Sequence, residues 1–105
     1  MSEQPPPTQL PLTRADASLA LEYASARYAS ARDHLGNVRG QLAVEDANHF
    51  LGSVSSGNSV SASRDLARAH TAALRDQIHE AEAAVDIWRV HLDALTLQIT
   101  HLIGD

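Results

Sequence analysis

From Leu74 to Leu102, apolar side chains recur without interruption at alternating spacings of four and three: Leu74, Ile78, Ala81, Val85, Trp88, Leu92, Leu95, Ile99 and Leu102. That period lines them up along one side of an α-helix, whereas a half-buried strand would alternate by two. A helix carrying such a seam packs along its length against another helix. The earlier segment supplies a match in Ala17, Leu21, Ala24, Tyr28, Ala31, Leu35, Val38 and Leu42. Two seams in one chain predict an all-α protein, a long antiparallel two-helix hairpin. The register sets Ala24 and Tyr28 against Trp88, small opposite large, with Arg27 and Arg32 near Asp86 and Glu82.

The boundaries follow from turn and cap chemistry. All four prolines, Pro5, Pro6, Pro7 and Pro11, lie in residues 1–12 among small polar residues, which predicts a disordered Pro-rich tail. Thr13 with Asp16 makes a capping-box arrangement and Leu12 with Ala17 a hydrophobic staple, so the hairpin of residues 13–105 starts there. The first helix is expected over about 13–51, with Gly52 as its C-cap, and Gly36 and Gly40 mark where it would kink or break. A charge-free run rich in Ser, Gly and Asn predicts a loop over about 52–62. Ser61 or Ser63 then caps a second helix over about 63–103, with Asp65 in its first turn and Gly104 at its end.

A lone hairpin of this composition is marginal. The chain has 105 residues, and only 4% are aromatic, so it buries little area per residue. It therefore needs a partner, and the second helix offers a surface for one. Ile87, Val90, Ala94, Leu97 and His101 also step by three and four, on the face away from the seam, and Leu19, Tyr23 and Ala26 extend it on the first helix. A regular exposed apolar stripe marks an interface, which implies assembly into a four-helix bundle with a second copy or a related hairpin. The interface residues are expected to be Ile87, Val90, Ala94, Leu97 and Tyr23, and the hairpin core Leu21, Tyr28, Leu35, Leu42, Ile78, Val85, Trp88, Leu92, Leu95 and Ile99.

Other function classes find less support. A net charge of -5 argues against a nucleic-acid surface, which needs clustered cations to neutralise phosphates. Without cysteine there is no thiolate site or thiol nucleophile. No Ser-His-Asp set or phosphate loop stands out, and the expectation is no enzyme and no cofactor. No apolar run approaches a membrane span, and the start has no Sec-type signal pattern, so the expected location is the cytoplasm or a non-Sec export route. Among the six histidines, His49 forms an i, i+3 pair with Asp46, and His70 is expected near them across the turn. Asp46, His49 and His70 thus define an alternative, a carboxylate/His metal-binding four-helix bundle. A regulatory or phage-type coiled-coil adaptor is a third reading.

The plan resembles the WXG100 (ESAT-6-like) family of small helical-hairpin proteins of type VII secretion. Phe50-Leu51-Gly52 stands where that family has Trp-x-Gly at the end of its first helix, with Phe replacing Trp. Trp88-Arg89-Val90-His91-Leu92-Asp93-Ala94-Leu95 looks like the Trp-Arg segment of some proteins associated with that secretion system. The resemblance implies homo- or heterodimeric four-helix bundles and a role as secretion substrate or partner. The family's export motif, Tyr-x-x-x-Asp/Glu, has no counterpart, because no tyrosine follows Tyr28; the resemblance then implies either that a partner carries the signal or that the chain is a cytoplasmic binder of a secreted protein.

Overall fold

The computed structural model describes residues 14–104, with side chains from 15 to 101. The Pro-rich segment, the Thr13 cap and the Leu12 staple lie outside the described residues. Among those described there are three α-helices and no strand: α1 (Arg14–Ser55), α2 (Val60–His70) and α3 (Ala72–Gly104). They fall into two compact units. One holds the described residues up to Asp33 together with those from Ala81 onward; the other is His34–Glu80.

In the first unit the core is Ala24, Ala31, Trp88 and Leu95, all buried, with Ala20, Leu21, Tyr28, Ala84, Val85 and Leu92 packed around them. Trp88 is 1% exposed, and the alanines on α1 leave room for its indole. The ring meets Tyr23 edge-on at 5.8 Å, and the Arg27 guanidinium lies 5.7 Å from its centre. Arg32 lies over the ring of Tyr28. Asp86 is engaged by Arg89 of its own helix at 3.0 Å. The guanidinium groups of Arg27 and Arg32 thus lie at aromatic rings.

In the second unit Leu35, Val38 and Leu74 are buried, and Leu42 and Ile78 half-buried. The line continues through buried Ser63, Ala67 and Thr71, small or polar residues that an apolar pattern passes over. Cross-contacts descend α1 as they ascend the following helices: Ser53 with Ser63, His49 with His70, Asp46 with Arg75.

Three boundaries differ from the sequence expectation. Helix α1 runs unbroken through Gly36 and Gly40. A glycine costs a helix about 1 kcal/mol relative to alanine, too little to break one anchored by Leu35 and Val38. Gly52 does not end it either. The glycine with positive φ is Gly57 (φ 96), and its N–H donates to Val54 O (3.0 Å) while the Asn58 N–H donates to Ser53 O (3.2 Å). This pair of bonds is a Schellman closure, which needs the left-handed residue at that position. The cap of α2 is Ser59, whose hydroxyl accepts from the Ala62 N–H at 3.1 Å; Ser63, expected as a cap, is buried and donates to Ser53 Oγ at 2.9 Å.

The expected second helix is also interrupted, at Thr71 (φ -104, ψ 9). The Thr71 hydroxyl donates to the Ala67 carbonyl at 2.8 Å, a side-chain bond that competes with regular helix geometry. Arg75 Nη1 donates to the Arg68 carbonyl (2.9 Å) and to Thr71 Oγ1 (2.8 Å), replacing donors that the distortion withdraws.

Candidate functional site

Two features outside the seams bear on function, one in each unit. In the first unit, the residues expected to form an interface lie on the sides of their helices turned away from the core. Val90 is 63% and Leu97 71% exposed on α3, Ile87 and Ala94 are exposed beside them, and on α1 Leu19 is 65% exposed. Their register follows from the seam itself: with Trp88, Leu92 and Leu95 facing inward, positions 87, 90, 94 and 97 fall on the opposite arc. Tyr23 belongs to both surfaces, since its ring packs against Trp88 while half of its area stays open. His101 is exposed at the end of the row.

A similar arc in the second unit went unread in the sequence. On α1, Val44, Leu51 and Val54 are exposed, with Gly40 and Ala47 completing a four-three series. The series was present to be read. A helix end at Phe50-Leu51-Gly52 would cut this series short, whereas that tripeptide lies inside α1.

The second feature is an open cleft of mixed polarity beside the α1–α2 turn, about 320 Å³ in volume, lined by His49, His70, Asn48, Gly52, Ser53, Ser56, Asn58 and Leu66. His49 and His70 do meet across the turn, as spacing suggested: their rings stack at 4.6 Å, only 9° from parallel. Asp46 does not join them in a ligand set, because its Oδ1 lies 3.5 Å from Arg75 Nη2. A guanidinium at that carboxylate repels a cation from the third corner. Among the described residues, no group of three or more His, Asp or Glu is placed to hold a metal ion, and the three-ligand expectation is corrected accordingly.

Also among the described residues, no helix is long and apolar enough to cross a membrane. No protein-family model, curated protein or solved structure matches this chain.

Proposed function

We propose that this chain is a non-enzymatic protein-protein interaction module, a helical hairpin that completes a four-helix bundle with a second copy or a related hairpin. The observation that carries the reading is the pairing of a buried seam with an exposed apolar row on α3, where Val90 and Leu97 stand largely open. A solvated helix face gains nothing from valine and leucine at regular spacing; burial of that face in an assembly gives the spacing a cause. Tyr23, Ile87 and Ala94 complete the surface, and the small residues on it allow close approach of a partner helix. The likeness of the Trp88-Arg89 segment to proteins associated with type VII secretion extends the proposal to that system, as substrate or as partner of one; Phe50-Leu51-Gly52 supports it less, because it lies inside α1 and not at its end.

The test is a double substitution, Val90→Glu with Leu97→Glu. Both positions are open, so the effect on each protomer's own helices should be within about 0.5 kcal/mol per site, as for other surface changes. Burying two carboxylates in a bundle interface is far more costly. Sedimentation velocity should therefore show a smaller species, with far-UV circular dichroism falling only as that species is populated. An unchanged sedimentation coefficient would remove this face from the interface.

A further inference from the structure

The exposed row on α3 and the exposed arc on α1 match each other residue for residue. Along α3 the row is Ile87, Val90, Ala94, Leu97 and His101, at spacings of three, four, three and four. Read in the opposite direction, the arc on α1 is Val54, Leu51, Ala47, Val44 and Gly40, at the same spacings, and every member of both series is exposed. Laid antiparallel, the two make a continuous seam of the coiled-coil kind. The one alanine of each series falls opposite the other, so Ala94 meets Ala47 and the helices can approach closely there. Larger side chains fill the space on either side, Val90 with Leu51 and Leu97 with Val44. Beyond them His101 meets Gly40, beside which an added Cβ would find nothing within 4 Å. The register has no good neighbour: a slip of one heptad sets Leu97 against Asn37, and the opposite slip carries Val90 past Ser55, where α1 ends.

We propose that the α3 row of one chain docks antiparallel on the α1 arc of a second copy, so that the first unit of each chain meets the second unit of the other. This deepens the reading of the chain as an assembling hairpin, and rests on it. The occupant is a second copy because the matching surface stands on this chain itself, and charge selects it over the simpler pairing of α3 with α3. Asp86 and Asp93 are exposed beside the α3 row, one position before Ile87 and Ala94. Antiparallel pairing of the row with itself brings Asp93 against Asp93 across the two-fold axis, and like charges set face to face disfavour an interface. The residues flanking the α1 arc, Gln41, Ala43, Asn48 and Phe50, carry no charge. The row and its carboxylates therefore approach the arc without repulsion. A two-fold axis makes the contact twice and closes the assembly at two chains.

The chain has no cysteine, so introduced thiols report on the contact alone. Ala47→Cys and Ala94→Cys are made as separate variants of the full chain, both at exposed positions. Each is oxidised by itself and after equilibration with the other. Only the mixture should yield a disulfide-linked dimer on non-reducing electrophoresis, because a bridge needs Cα atoms within roughly 7 Å of each other. Light scattering gives a second readout: Val44→Glu should lower the mass from two chains to one, since its carboxylate would be buried against Leu97 of the copy. Suppose the wild-type chain is dimeric. A mixture that fails to cross-link, Ala94→Cys that cross-links by itself, or Val44→Glu that keeps its mass would each overturn this docking while leaving assembly in place. A monomeric wild-type chain would overturn both.

Discussion

Replacing Trp88 by alanine removes the largest buried side chain of the first unit. The neighbours that would have to fill the space include Ala24 and Ala31, which carry one methyl each and cannot reach into it. The cost therefore falls in the upper part of the aromatic-to-alanine range, about 3–5 kcal/mol. The edge-on contact with Tyr23 adds about 0.5–1.5 kcal/mol, and the Arg27 guanidinium over the ring about 0.5–1 kcal/mol. Against a total stability of about 5–15 kcal/mol for a domain of ordinary size, W88A removes a third or more. Urea unfolding followed by circular dichroism at 222 nm measures it, at one fixed protein concentration because association adds a concentration-dependent contribution. Trp88→Phe keeps an aromatic ring and should lose roughly half as much. A loss below about 1 kcal/mol for W88A would show that Trp88 does not organise the core, and with it the packing of α1 on α3 in that unit would be refuted.

The glycines give a pair of predictions with opposite signs. Gly57→Ala should destabilise by about 1–2 kcal/mol, since alanine resists the positive φ that the Schellman closure requires. Gly40→Ala should stabilise by about 0.5–1 kcal/mol, because the residue is helical and an added Cβ meets nothing within 4 Å. Thermal melts of the two variants separate these outcomes, and equal signs would contradict the assigned end of α1. Ser59→Ala should cost about 1 kcal/mol by removing the cap on Ala62 N–H, and Ser59→Asp should restore most of it; hydrogen exchange at the Ala62 amide reports the change directly.

The seams were legible because large apolar residues at a four-three spacing admit one arrangement only. Leu35, Val38, Leu74, Trp88 and Leu95 are all buried on that line. The line was lost where its members became small or polar. Ser63, Ala67 and Thr71 continue it, and their burial depends on hydroxyl bonds to Ser53 and Ala67 that no hydropathy pattern encodes. The end of α1 was misplaced for a related reason: Gly52 and Gly57 are both followed by small polar residues, and only the backbone of the turn selects the one whose φ is positive. At the cleft beside the α1–α2 turn, spacing brought His49 to His70 correctly. The claim of Arg75 on Asp46 could not be read, because it depends on the break at Thr71 that lets Arg75 reach back to α2.

The central claim is that the exposed row on α3 is covered when the chain is folded. The most direct measurement is light scattering on the size-exclusion peak of the wild-type chain at micromolar concentration, with helix content recorded on the same fractions. The account predicts an assembly of about twice the 11.3 kDa chain mass wherever the helical signal is complete, and loss of that signal as dilution yields monomer. A fully helical monomer with a cooperative unfolding transition would contradict it.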